Sequence, residues 1–551
     1  MKRRKILQHL AAAIPAIGLS RLARAAAATA QRRLEPMATG PFSPDWASLT
    51  AFQTPDWFRN AKFGIWAHWG PQCEPEYGDW YARGMYIEGS PAYKYHEQKY
   101  GHPSKFGFKD VIRRWRGERW DPDALVGLYK QAGARYFVAL ANHHDNFDLY
   151  DSKYQAEWNS TRMGPRKDLI DGWSKAARRH GLRFGVSVHA SHAWTWYGTA
   201  RLADRDGPSA GVPYDGKLQS ADGKGTWWEG LDPQDLYAQN HPQSARAADP
   251  AAIHQQWGWG AGSAIPDQTY CDKFYNRTVD LINAYDPDLV YFDDTAFPLW
   301  PVSDVGLRIA AHMYNRSIAR QGKLEAVING KVLDPVQRTT MVWDIERGQS
   351  NEIEPLPWQT CTCIGNWHYQ RELYEKKSYK SAKTVVHTLI DVVSKNGNLL
   401  LSVPVRGNGT IDEQEHAIVE EIGNWMALNG EGIYDTRPWS VFGEGPGMEK
   451  AAPLSAQGFN EGKNQPFTPA DIRFTTKGGA VYAFVMAWPA DGKVVIKSMG
   501  GASPYLKQRI ARVELLGPGS VLPFEQTADG LHLTLPSNEP ALSYAVALKI
   551  S

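Results

Sequence analysis

From about residue 50 to residue 435 the hydrophobic positions fall into two alternating kinds of segment. Short, almost wholly apolar runs at 63–67, 136–140, 184–188, 289–292, 326–328, 341–343 and 399–403 read as buried strands. Between them lie longer stretches with apolar residues at helical spacing, such as 122–132, 169–180 and 272–284. Asp or Ser ahead of these stretches and Gly after them, as in Ala132-Gly133 and His180-Gly181, are helix start and stop signals. The alternation predicts an α/β domain on a parallel sheet, and its length favours a closed (β/α)8-like TIM barrel over 51–435. An open doubly wound sheet is the competing fold, but no glycine-rich phosphate fingerprint follows any early strand.

Two regions depart from this rhythm. Residues 195–265 are rich in Gly, Asp, Pro and Gln and carry the pair Trp227-Trp228. Because this insertion follows the strand at 184–188, it is expected on the active face of the barrel. After about residue 436 the pattern changes to period-two strands at 472–475, 481–488, 494–497, 513–516, 531–535 and 542–550. Ala490-Asp491-Gly492 and Ala528-Asp529-Gly530 supply turns, so 436–551 is expected to be an antiparallel β-sandwich.

The first 30 residues carry a basic run, Lys2-Arg3-Arg4-Lys5, then an apolar stretch from Leu10 to Leu19 and small residues around Ala23-Arg24-Ala25 and Ala28-Thr29-Ala30. That is the build of an export signal, with a twin-arginine type competing with a plain secretory one. An uncleaved anchor is the other reading. Residues 31–50 are expected to be a linker, and the protein to be periplasmic or extracellular.

With a net charge of +2, nothing argues for nucleic acid or, beyond export, for a membrane partner. Nothing in the sequence sets an oligomeric state. The 22 Trp, 25 Tyr and 18 Phe are chiefly core, but such rings also stack on the apolar faces of sugars. Four cysteines include Cys361-Thr362-Cys363, too tight for a usual zinc pair, and no metal site or cofactor is expected.

The chemistry gathers where the strands end. The first strand runs into His68-Trp69-Gly70, the next into Asn142-His143-His144-Asp145, the third into His189-Ala190-Ser191-His192, and Leu289–Phe292 into Asp293. The C-terminal ends of barrel strands are where catalytic groups reside. Asp293 alone could be a helix cap. Four consecutive strand ends bearing His, Trp or Asp favour a site, either a sugar site or a His/Asp metal centre.

An ordered series of motifs carries a resemblance. It opens with Trp57-Phe58-Arg59-Asn60-Ala61-Lys62-Phe63-Gly64, His68-Trp69-Gly70 and Glu76-Tyr77-Gly78-Asp79-Trp80-Tyr81. It continues with His143-His144-Asp145-Asn146-Phe147, Arg166-Lys167-Asp168-Leu169 and Pro287-Asp288-Leu289-Val290-Tyr291-Phe292-Asp293, and closes with Asn396-Gly397-Asn398-Leu399 and Asn429-Gly430-Glu431-Gly432. The series resembles glycoside hydrolase family 29, the α-L-fucosidases. The resemblance implies a retaining exo-hydrolase acting on fucosylated glycans without a cofactor, with Asp293 as nucleophile. It further implies that His68, His143 and His144 hydrogen-bond sugar hydroxyls, with Trp80 nearby and Asp79 on the same loop as a further substrate contact. Trp194 and Trp367 are the expected aromatic contacts for the fucose methyl group, with Arg347 a further sugar or carboxylate partner.

The acid/base departs from the pattern. Relatives carry Trp-Glu ahead of a Cys where this chain has Trp358-Gln359-Thr360-Cys361, and Gln cannot donate the required proton. Glu346, directly after the strand at 341–343, is the first alternative, with Glu352 and Glu354 behind it. The change to Gln also admits a carbohydrate-binding pseudoenzyme. Asp79 stands where relatives carry Glu and bears on the hydroxyl contacts, while Asp294 in place of Gly makes either of two adjacent acids a conceivable nucleophile, with the motif match favouring Asp293. The same scaffold acting on a related sugar, such as an α-L-galactoside or a modified fucoside, is the nearest competing reading.

Overall fold

The computed structural model describes residues 34–247, 259, 262–449, 459–506, 509–539 and 542–551. The expected export signal, 1–30, lies outside the described residues. Eight parallel strands close a barrel in chain order: β1 (Phe63–Ala67), β2 (Tyr136–Asn142), β3 (Arg183–Val188), β4 (Leu289–Phe292), β5 (Val327–Gly330), β6 (Val342–Glu346), β7 (Trp358–Cys363) and β8 (Gly397–Ser402). β8 returns to β1, with Phe63 opposite Leu399 and Trp66 opposite Ser402. These strands are buried along nearly their whole length, which is why they read as continuous apolar runs.

β7 is the one barrel strand that the apolar pattern misses. Its sequence, Trp-Gln-Thr-Cys-Thr-Cys, is polar, yet all six residues are buried. The barrel interior accounts for this. Gln359 accepts from Tyr136 Oη (2.9 Å) and donates to Asp344 Oδ1 (2.8 Å), while Cys361 Sγ (2.9 Å) and Tyr291 Oη (3.1 Å) donate to Asp344 Oδ2. Satisfied polar groups of this kind are tolerated in a core, and they disguise the strand. β6 also runs further than its apolar core, so Glu346 is its last residue rather than the start of a loop.

The C-terminal region holds β9 (Arg437–Glu444), β10 (Ile472–Lys477), β11 (Ala480–Val485), β12 (Lys493–Ile496), β13 (Val513–Leu515), β14 (Ser520–Val521), β15 (Phe524–Gln526), β16 (Leu531–Thr534) and β17 (Val546–Ile550). They form a six-stranded sheet, β14-β13-β17-β11-β10-β9, and a three-stranded sheet, β12-β16-β15, with antiparallel pairing. Phe474, Val485, Ile496, Val513, Leu531 and Leu548 meet between them in one apolar core. A buried cluster ties this sandwich to the barrel: Arg473 on β10 and Lys395 both pair with Asp391 at 2.6 Å.

The segment expected as a linker is described from residue 34. Phe42 N–H donates to Asn315 Oδ1 at 2.9 Å, and Trp46–Leu49 is a short helix. The described part of the insertion is built around the buried Asp215, which accepts from Tyr86 (2.7 Å), Tyr237 (2.6 Å) and Lys109 (3.0 Å). All four cysteines are buried free thiols. Among the described residues no helix is long and apolar enough to cross a membrane.

Candidate active site

The C-terminal ends of the barrel strands surround a cavity of about 300 Å³. β1 delivers His68, β2 His143, β3 His189, β4 Asp293, β5 Lys331 and β6 Glu346 followed by Arg347. The loops after β1 and β7 add Asp79-Trp80 and Trp367-His368, and Phe459 comes from the segment leading back into the sandwich. The register of β2 against β3 shifts between Leu140 and Asn142, immediately before His143. Such a bulge re-aims the side chains that follow it. Trp80 has a left-handed backbone, φ 60°, rare for a bulky residue and held here at the edge of the site.

Asp293 is the most heavily engaged group. Its Oδ2 lies 3.1 Å from His144 Nε2 and 3.1 Å from His189 Nδ1, and its Oδ1 contacts Lys331 Nζ. Burial alone would raise its pKa. The Lys331 ammonium and the hydrogen bonds from the two imidazoles override burial and hold the carboxyl well below the usual carboxylate range. The same ammonium contacts Glu346 Oε2, so one cation bridges the two acids across the cavity. Burial would lower the Lys331 pKa, but Asp293 and then Glu346 push it well above the usual lysine range.

The imidazoles behave as neutral polar groups. Burial, then neighbouring histidines, hold His68 and His143 well below the ordinary histidine value, and burial brings His189 down to about 4. Gln72 Nε2 donates to His143 Nδ1 at 2.7 Å, which leaves the proton of the neutral ring on Nε2. His189 Nε2 and His368 Nε2 are buried without a protein partner and belong to rings that line the cavity. A hydroxyl-rich ligand satisfies such atoms. Trp66 and Trp367 flank His68, with ring centroids 3.9 and 5.0 Å from its imidazole.

Ring nitrogens of His143, His144 and His189 lie within 4.8 Å of one another, close enough for a metal ion. Both nitrogens of His144, however, already face acceptors, the His189 carbonyl at 2.8 Å and Asp293. His189 Nδ1 is likewise engaged with Asp293, so the trio serves that carboxylate first.

Of the residues expected from the sequence, His68, Asp79, Trp80, His143, Asp293, Glu346, Arg347 and Trp367 line the one cavity. His144 stands behind Asp293 as its hydrogen-bond partner. Asp79 accepts from the backbone N–H groups of Trp367 (3.2 Å) and His368 (2.8 Å), so it holds that aromatic turn in place. Arg347 pairs with Glu461 at 3.2 Å, and the Glu346 carbonyl accepts from Phe459 N–H at 3.1 Å, which pins the sandwich-side segment to the end of β6.

Three expectations fail on position. Glu352 is exposed and does not line the cavity. Glu354 is buried elsewhere, accepting from Ser350 Oγ at 2.6 Å and pairing with Arg338 at 3.4 Å. Trp194 lines a separate cleft, because the turn after β3 carries it away from His189. Lys331, His189, His368 and Phe459 are among the cavity residues to which the sequence assigned no role, although His189 is legible as a strand end. His189 had a signal, an imidazole directly after an apolar strand, whereas Asn329 and Gly330 separate Lys331 from the apolar run at 326–328. Phe459 had none.

Paired acids, neutral imidazoles and flat indoles at the C-terminal mouth of a barrel make up a glycosidase site. The particular family follows from comparison with known proteins. The α-L-fucosidase family model matches residues 29–431, and the model of the α-L-fucosidase C-terminal domain matches 464–551. The chain belongs to the α-L-fucosidase family. It is 25% identical to human tissue α-L-fucosidase, covering 94% of this chain and 92% of that protein. The rat tissue enzyme is 24% identical, over 91% of this chain and 89% of its own length. Thermotoga maritima α-fucosidase, solved in complex with fucose, superposes with a TM-score of 0.66 at 25% identity, covering 93% of this chain and all of that one.

Proposed function

We propose that the protein is an exo-acting, retaining α-L-fucosidase that releases terminal α-L-fucose from fucosylated glycans. The observation that carries the mechanism is the pair Asp293 and Glu346, both in contact with the Lys331 ammonium across the cavity. Two oxygens touching one nitrogen lie close together, in keeping with the roughly 5–5.5 Å of retaining glycosidases rather than the roughly 6.5–9.5 Å of inverting ones.

In the first step a carboxylate oxygen of Asp293 attacks the anomeric carbon. The bond from that carbon to the aglycone oxygen breaks, and Glu346 gives its proton to the departing oxygen. The product is a β-linked glycosyl ester on Asp293. In the second step Glu346, now a carboxylate, takes a proton from water as the water oxygen attacks the anomeric carbon. The ester bond breaks and α-L-fucose leaves. The asymmetry of environment suits the roles, because Asp293 is held ionised by three donors. His68, His143 and His189 offer neutral contacts for hydroxyls, His368 lines the same cavity, and Trp80 and Trp367 offer flat faces, Trp367 being our choice for the methyl group.

Gln359 does not weigh against catalysis. It lies inside the barrel, bonded to Asp344, so its amide leaves the acid at the mouth unaffected. Export to the periplasm or the exterior is part of the proposal, supported by the basic and apolar runs of residues 2–19. The test is hydrolysis of an aryl α-L-fucoside followed by proton NMR. The α-anomer of fucose appears first if the reading holds. First appearance of the β-anomer contradicts retention, and turnover of the aryl α-L-galactoside alone moves the specificity to that sugar.

A further inference from the structure

The insertion after β3 carries a second cavity for which the reaction has no use. Its first lobe, about 200 Å³, is walled by Trp194, Tyr270 and Phe274, with Asn146, Asp235 and Lys273 among its polar groups. Its second lobe, about 540 Å³ and open, holds Arg201, Lys217, Gln219, Gln239 and His241. Asn240 lines both lobes. The indole of Trp194 in the first stacks on the imidazole of His241 in the second, with centroids 3.9 Å apart and 14° between planes. The two lobes are therefore one cleft with a shared wall.

Three features give the cleft its chemistry. First, Trp194 Nε1, Gln239 Oε1 and Arg201 Nε are buried without a hydrogen-bond partner. Trp194 and Gln239 are only 7% and 4% exposed. Buried polar atoms are rarely left unmade, so two donors and an acceptor on residues that line one cleft call for a ligand that offers both. Second, the aromatic walls beside carboxylate, amide and ammonium groups suit a pyranose, which has apolar C–H faces and a rim of hydroxyls. Third, the second lobe carries Arg201 and Lys217 and no carboxylate, so it suits an anion. In the first lobe Lys273 is already paired with Asp235 at 2.9 Å.

The cleft also adjoins the reaction. Asn146 lies two residues beyond His144 on the turn after β2, and Trp194 lies five beyond His189 on the turn after β3. Tyr270 Oη donates to the carbonyl of Ala190, the residue after His189, at 2.6 Å.

We propose that this cleft is a second glycan-binding site, taking a saccharide that bears an anionic substituent. The sugar ring lies in the lobe of Trp194 and Tyr270, and the anion, a sulfate ester or a carboxylate, sits against Arg201 and Lys217. The site holds a polymeric substrate close to the pocket that removes its terminal sugar, and in that respect it rests on the glycosidase reading.

Affinity electrophoresis tests it, with gels containing a sulfated fucan, the same polymer after desulfation, or a polyuronate. Wild type is expected to be retarded by at least one anionic polymer, and which one retards more separates sulfate from carboxylate. Asn240→Trp, which fills the junction of the lobes without changing charge, abolishes the retardation. Lys217→Gln weakens it about fivefold, the effect of one lost ion pair. Both variants keep aryl α-L-fucoside turnover within about twofold of wild type, since the cleft is separate from the reacting groups. Retardation of Asn240→Trp equal to wild type, no retardation of wild type by either anionic polymer, or equal retardation by the desulfated fucan overturns the proposal. Retardation is read without turnover, so an inactive wild type would contradict the fucosidase reading and leave the cleft to be judged by the gels.

Discussion

The ends of β4 and β6 each present one carboxylate to the same lysine, yet the two sites are built differently. Asp293 is gripped by His144, His189 and Lys331, and its charge is fixed by all three. The Glu346 carboxylate, among the described residues, pairs with Lys331, while its backbone is held by the Phe459 N–H. A group with three donors is committed to the ionised state. Under the proposed mechanism this difference makes Asp293 the nucleophile and leaves the acid/base role to Glu346.

The largest test of that contrast is removal of the fixed charge. Asp293→Ala should lower kcat on an aryl α-L-fucoside by about 10⁴-fold, as loss of a reacting group does, while circular dichroism stays native. Activity within tenfold of wild type would shift the nucleophile to Asp294, which is itself buried and accepts from Ser191 Oγ at 2.7 Å. Next comes Glu346→Gln, expected to cost about 10²- to 10⁴-fold on natural glycans, the range for general acid–base catalysis. The loss should be much smaller for an aryl leaving group that departs unprotonated, so equal losses on both substrates would break the assignment.

Lys331→Met sharpens the contrast through pH. Burial raises the Asp293 pKa and Lys331 is the strongest influence lowering it. Without the ammonium the carboxyl binds its proton at higher pH, so the acid limb of kcat/KM should move upward by about one unit or more. Activity is then lost at acid pH where wild type still works and is kept near neutrality. The groups facing Lys331 are Asp293 and Tyr291 on β4, Glu346 and Asp344 on β6, and Cys361 on β7. Asp344, pushed up by burial to about 6, is the neighbour whose own titration overlaps, and the Lys331→Met, Asp344→Asn pair should show the same upward shift. An unmoved acid limb would remove Lys331 from the account. Smallest of all are Glu352→Gln and Glu354→Gln, each expected to leave turnover within about twofold, because neither group lines the cavity.

The legible parts of the molecule were those where physics writes one pattern. Parallel strands buried on both faces read as apolar runs, so the barrel was visible from β1 to β6 and again at β8. β7 was not, since Gln359 and Cys361 satisfy Asp344 inside the barrel and replace the expected apolar run with a polar one. Asp293 and the histidines were visible because each ends a strand. Lys331 follows β5, but the polar Asn329 and Gly330 separate it from the apolar run that marks the strand. Trp194 lines a cleft apart from the active-site cavity for another reason. It follows β3 by six residues, and which side of a turn such a residue takes depends on packing against Tyr270 and His241 that no local pattern encodes.

The most direct measurement is the anomeric configuration of the product formed when Glu346→Ala hydrolyses an aryl α-L-fucoside in the presence of azide. With the acid/base gone, azide attacks the β-linked ester on Asp293 and needs no proton removed. The account predicts restored turnover and α-L-fucosyl azide by NMR. A β-L-fucosyl azide, or no rescue at Glu346 while Glu352→Ala or Glu354→Ala is rescued, would contradict it.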